Sequence, residues 1–139
     1  MNRRKPQSDI SVTFMSGPLD GKSLKFPPPE IGKETTLVIG RREGCDIYLP
    51  FDHQVSRIHA RLIYSAPLLE ILENLSDDYP SESLLMFWLE DVDSRNGTFI
   101  EKDDAPIVGR VSLRPGTLFR IGRTWLRVDP PLSPPPPPF

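Results

Sequence analysis

Val55-Ser56-Arg57-Ile58-His59-Ala60-Arg61-Leu62-Ile63-Tyr64 decides how this chain is read. In its second half, Ala60, Leu62 and Tyr64 alternate with His59, Arg61 and Ile63. A period of two marks a β-strand with one face turned to a core. Its first half puts a hydroxyl (Ser56) and a guanidinium (Arg57) on the loop entering that strand. Loops held by a rigid scaffold are where binding groups concentrate.

The same pattern extends in both directions. Ile10, Val12 and Phe14 alternate with polar residues, and Gly17-Pro18-Leu19-Asp20-Gly21 reads as a turn before a second strand through Leu24 and Phe26. Pro27-Pro28-Pro29 ends that strand, because proline cannot donate to a central ladder. Further strands are expected at Thr35 to Ile39, Ile47 to Leu49, Leu84 to Val92, Thr98 to Ile100, Ile107 to Val108, Val111 to Leu113, Thr117 to Ile121 and Trp125 to Val128. About ten or eleven short strands with turns between them imply an all-β sandwich or barrel. Pro67 to Leu75 is the exception, since its leucines and isoleucine fit one face of a short helix as well as a strand extension.

The chain has 139 residues, which suits one domain with tails. We divide it into a basic arm at 1–8, a sandwich at 9–129 and a proline-rich tail at 130–139. The tail holds seven of the 17 prolines and should adopt polyproline II; it reads as a stiff linker or as a ligand for an SH3- or WW-type groove. Within the sandwich, 66–83 reads as an insertion carrying five acidic residues and no basic one. It would be a solvated loop, a modified segment or an internal competitor for the basic loops. The net charge of −2 offers no field for nucleic acid, and no stretch is long and apolar enough to suggest a membrane span. One cysteine, Cys45, rules out an internal disulfide; together with the lack of an apolar segment behind the basic arm, it leads us to expect an intracellular setting.

Four motifs fall at the ends of apolar runs: Gly40-Arg41, Ser56-Arg57-Ile58-His59, Ser94-Arg95-Asn96-Gly97-Thr98 and Leu113-Arg114-Pro115-Gly116. Arginine offers a planar fork that suits phosphate, and serine offers a hydroxyl donor. Asparagine can both donate to and accept from a bound main chain. Any one of these taken alone is a solvated arginine or an ordinary Asn-Gly turn. Three roles compete for His59: a base for Ser56, a metal ligand beside His53, or a buried imidazole bracing the Ser56 loop. The first lacks an orienting third group and the second lacks further ligands, so we expect the brace. No catalytic residue, cofactor or metal site is expected.

Taken in order and spacing, these motifs, with Cys45-Asp46-Ile47-Tyr48-Leu49, Leu89-Glu90-Asp91 and Ile121-Gly122, resemble the forkhead-associated (FHA) domain family over roughly residues 9 to 129. The resemblance implies an eleven-stranded, antiparallel-rich β-sandwich whose loops at one apex bind phosphothreonine. It assigns the phosphate to Arg41 and Ser56, assistance to Arg57 and the peptide backbone to Asn96; Arg95 occupies the variable position before the asparagine and is added here as a candidate further contact, outside what the resemblance assigns. Gly40, His59, Gly97 and Thr98 would shape the loops. The implied partner is a threonine-phosphorylated protein, in another molecule or within a longer parent chain, written by a Ser/Thr kinase. Two departures from the family pattern stand out: the 66–83 insertion, and Glu101 to Pro106 where many relatives carry a second Asn-Gly, which predicts a longer or reshaped connection. A different class of function, phosphate-independent assembly through a sheet face, the insertion or the tail, remains open at this level.

Overall fold

The computed structural model describes residues 9–30, 32–66 and 85–130. The basic arm, the 67–84 segment with its helix-or-strand alternative, and residues 131–139 of the tail lie outside them. Among the described residues there are ten strands: β1 (Ile10–Phe14), β2 (Ser23–Phe26), β3 (Glu34–Gly40), β4 (Ile47–Tyr48), β5 (Ala60–Ser65), β6 (Met86–Asp91), β7 (Thr98–Ile100), β8 (Arg110–Leu113), β9 (Leu118–Ile121) and β10 (Thr124–Asp129). They form two five-stranded sheets, ordered β2-β1-β10-β9-β7 and β4-β3-β5-β6-β8. Every pairing is antiparallel except the parallel contact of β3 with β4.

The alternation read from sequence is what closes the sandwich. Ile10, Val12 and Phe14 of β1, Ala60, Leu62 and Tyr64 of β5, and Leu126 and Val128 of β10 are all in the shared core. Ile63 is 1% exposed but does not belong to that core. It lies on the opposite face of β5, in register with Thr36 and Trp88. No buried side-chain nitrogen or oxygen among the described residues lacks a partner, so the core carries no polar penalty that would loosen it.

The expected strand at Ile107 to Val108 does not form, and the strands among the described residues number ten rather than the expected eleven. A single bond, Ile107 N–H to Thr98 O at 2.8 Å, ties this stretch to β7, and Val108 is 88% exposed. One bond without a continuing ladder does not make a strand. The 101–109 connection instead folds back along β7, and Pro106 Cβ comes to rest against Gly97.

Pairing registers fix which loops share an end. Ala60 pairs with both Ile39 and Asp91, so the β3–β4, β4–β5 and β6–β7 loops meet at one apex. The β9–β10 hairpin at Gly122–Arg123 joins them there, because Asp52 of the β4–β5 loop holds it. The insertion leaves from Ser65 and returns to Met86, which are paired at the opposite end. Leu113-Arg114-Pro115-Gly116 also lies at that far end, since Leu113 pairs with Phe87 and Gly116 N–H bonds Val128 O. It therefore lies away from the apex where the other three motifs meet.

Candidate functional site

Three of the four motifs meet at the apex, in a cleft of about 250 Å3 lined by Arg41, Ser56, Arg57, Arg95 and Asn96. Each is set in place by an identifiable bond. Arg41 leaves the end of β3, its amide bonded to Ser56 O at 3.0 Å and its side-chain Nε–H donated to Val55 O at 2.9 Å. This pins the near side of the guanidinium and leaves its terminal nitrogens for an anion.

Gly40 permits this approach. A Cβ there would sit 2.0 Å from Arg57 O, far inside contact distance. The requirement is close backbone approach, and it lets Arg42 N–H bond the same carbonyl.

Ser56 Oγ is engaged as an acceptor by its neighbour. The backbone N–H of Arg95 donates to Ser56 Oγ at 3.0 Å. With that lone pair used, the hydroxyl hydrogen is free to point into the cleft. Asn96 Nδ2 donates to Gln54 O at 2.9 Å, which stitches the β6–β7 loop to the β4–β5 loop. Its Oδ1 and second amide hydrogen remain for a ligand main chain.

Beneath the cleft, His59 is fully buried. Ser56 N–H donates to His59 Nδ1 at 3.0 Å, so Nδ1 is unprotonated and the ring is neutral, with its hydrogen on Nε2. That Nε2–H donates to Gly97 O at 2.9 Å. One ring thereby bonds both the Ser56 loop and the Asn96 loop. Burial drives the imidazole below its ordinary pKa, against the raising pull of the Gly97 bond and of Asp91 and Asp52. Thr98, buried at the base of the loop, donates to Asp91 Oδ1 at 2.6 Å.

Two aspartates carry more of this apex than the sequence suggested. Asp91 accepts from the Ser94 hydroxyl and amide as well as from Thr98. Burial opposes its charge, but these bonds outweigh burial and hold the carboxyl below the usual range. Asp52, 6% exposed, accepts from Gln54 N–H, Arg123 N–H and Thr124 Oγ1. Burial again acts against the charge, and the bonds from Thr124, Arg123 and Gln54 again win. Asp52 thus ties the loop before Ser56 to the β9–β10 hairpin. The readable signal was an aspartate two residues before Gln54, the spacing of an Asx turn; its bond to Thr124, 72 residues away, left no local trace.

The profile of the FHA domain matches residues 37–122, which span all three apical motifs. The chain belongs to the FHA domain family. Comparison with curated proteins gives no match. Solved FHA domains share the fold at low identity. The FHA domain of an Arabidopsis thaliana hypothetical protein is 20% identical, with a TM-score of 0.63 and 98% of each chain covered. The FHA domain of the CT664 protein from Chlamydia trachomatis is 20% identical, with a TM-score of 0.59 over 88% of this chain and 97% of that one. Mycobacterium tuberculosis EmbR, solved with a low-affinity phosphopeptide, is 18% identical, with a TM-score of 0.61 over 94% of this chain and 26% of its own. Within this FHA domain, Arg41, Ser56, Arg57, Arg95 and Asn96 line the apical cleft, while Gly40, His59, Gly97 and Thr98 stand behind it as loop supports.

Proposed function

We propose that this FHA domain is a non-enzymatic reader of phosphothreonine in partner proteins, serving kinase-dependent signalling or assembly. One observation carries the reading: the apical cleft gathers a guanidinium, a hydroxyl whose hydrogen is left free to donate, and an asparagine amide, all held by backbone bonds. A phosphothreonine carries about −1.5 to −2 charge near neutral pH. Arg41 and Ser56 would meet it with charge-assisted bonds of roughly 1.5–3 kcal/mol each. Arg57 and Arg95 add positive charge at the rim, and Asn96 would take the peptide main chain. The phosphopeptide bound to EmbR, a structural relative, supports this direction. A catalytic role for Ser56 fits the geometry poorly, since His59 engages its amide and not its hydroxyl. Preference for threonine over serine rests on the family and on burial of one methyl, worth about 0.8 kcal/mol.

Titrating phosphothreonine, phosphoserine and unphosphorylated forms of one peptide tests the proposal. The expected order is phosphothreonine, then phosphoserine, with no measurable binding of the third. Arg41→Ala and Ser56→Ala should each remove phosphopeptide binding while the protein stays folded. Equal affinity for all three peptides would overturn the reading. A partner that still binds the Arg41→Ala protein would instead favour phosphate-independent assembly.

A further inference from the structure

On the outer face of the first sheet, Phe99, Arg120 and Trp125 stand in one row, paired across β7, β9 and β10. The Arg120 guanidinium carbon lies 4.3 Å from the centre of the Phe99 ring and 5.9 Å from that of Trp125. Its Nη1 donates to Gly122 O at 2.8 Å. A planar cation clasped between two rings and bonded to a carbonyl has little freedom left.

Both ends of this clasp reach the apex. The Phe99 ring edge lies beneath Gly97, and a Cβ on that glycine would meet Phe99 Cε1 at 3.1 Å. Gly97 adopts φ +84°, donates its N–H to Ser94 and accepts the His59 bond, and it directly follows Asn96. At the other end, Gly122 packs so closely on the β4–β5 loop that a Cβ would lie 2.8 Å from Val55 Cγ2 and 2.9 Å from Asp52 Oδ2. Asp52 and Val55 lead into Ser56. Arg120 therefore touches one support under the Asn96 loop and another under the Ser56 loop. It does not line the cleft itself.

We propose that Arg120 is a positioning residue for ligand binding: its stack on Phe99 and its bond to Gly122 set the spacing between the Ser56 and Asn96 loops from the outer face of the sheet. This rests on the phosphopeptide reading for its functional consequence, but the placement of Asn96 can be read without any ligand. The side-chain stem of methionine keeps the apolar cover over Phe99 and Trp125 while removing the cation and the donor. Arg120→Met should thus leave the sandwich folded and loosen the spacing of the two loops, which the Arg95–Ser56, Asn96–Gln54 and His59 bonds still join.

The experiment compares wild type, Arg120→Met, Asn96→Ala and the double variant, all well below their unfolding midpoints. Two readouts are taken: affinity for a phosphothreonine peptide, and the NMR signals of the Asn96 side-chain amide and the His59 ring in unliganded protein. Arg120→Met is expected to weaken binding severalfold and at most about tenfold, since the lost cation–π contact and hydrogen bond set the upper limit on what reordering the loops can cost on binding. It should also shift the Asn96 amide signal while core methyl signals hold still. Because part of the Arg120 effect runs through Asn96, the loss in the double variant should be smaller than the sum of the two single losses. Unchanged affinity, additive losses, or an unmoved Asn96 amide would each overturn the proposal. If wild type binds no phosphopeptide, the functional reading fails, and the unliganded Asn96 and His59 signals alone decide the positioning role.

Discussion

Replacing His59 by alanine should separate support from contact at this apex. The ring is fully buried and serves two backbone groups, accepting from Ser56 N–H and donating to Gly97 O. Its removal leaves a donor and an acceptor without partners, at roughly 1–3 kcal/mol each when buried. Water entering the vacated space would recover part of this, so the net loss is about 3 kcal/mol. For a domain of this size that lowers the unfolding midpoint by about 10–15 °C. Arg41→Ala, at an exposed position, should cost less than about 1 kcal/mol while removing ligand binding.

The pH dependence supplies a second test of the same bonds. The folded state holds the His59 pKa below its ordinary value, so the unfolded chain takes up the proton first as pH falls. The stability supplied by neutral His59 is therefore complete above about pH 6.5 and declines below it, until the folded ring also protonates. Protonation also places a hydrogen on Nδ1, facing the Ser56 N–H, and breaks that bond. Urea unfolding at pH 7.5 and pH 5.5 should show wild type losing stability and His59→Ala staying nearly level, so the gap between them narrows. His53 is present in both proteins and does not contribute to the difference. A wild-type protein equally stable at both pH values, or a variant as stable as wild type at pH 7.5, would refute the bracing role.

Gly40→Ala should destabilise by more than about 2 kcal/mol in urea unfolding, because its Cβ would overlap the Arg57 carbonyl and no side-chain rotation relieves a backbone clash. Asp91→Asn should cost about 1–3 kcal/mol, since one amide oxygen replaces a carboxylate that accepts three bonds. The Asp91 pKa is lowered in the folded protein, so its contribution is present above about pH 3.8 and lost as pH falls further. Acid titration of Asp91→Asn should accordingly show a shallower loss below pH 4 than wild type.

Local patterning made most of the strands legible. The β5 stretch from Ala60 to Ser65 reads directly from its period of two, and proline marked the end of β2 just after Phe26. The strand expected at Ile107 and Val108 failed because two β-prone residues do not make a ladder without a partner edge, and the neighbouring chain offers one bond. Arg41 and Ser56 were legible as phosphate-suited groups, and Asn96 as a group suited to a main chain, because side-chain chemistry is written in the residue itself. The grouping of Leu113 to Gly116 with them was not reliable, because motif order along a chain does not reveal which end of a sandwich a loop occupies.

By itself the sequence determined the alternating strands, the polar residues between them and, through ordered motifs, the family. Those are local properties: periodicity, turn chemistry and functional groups. Tertiary structure alone decided that Gly40 serves a carbonyl 17 residues on, that Asp52 clamps a hairpin from the other sheet, and that Arg120 reaches the apex through Phe99 and Gly122. It also decided that Ser56 Oγ accepts from Arg95 N–H and which tautomer His59 holds. The physical reason is that hydrogen-bond roles and close approaches belong to pairs of residues distant in the chain, and only the packed sandwich brings those pairs within reach.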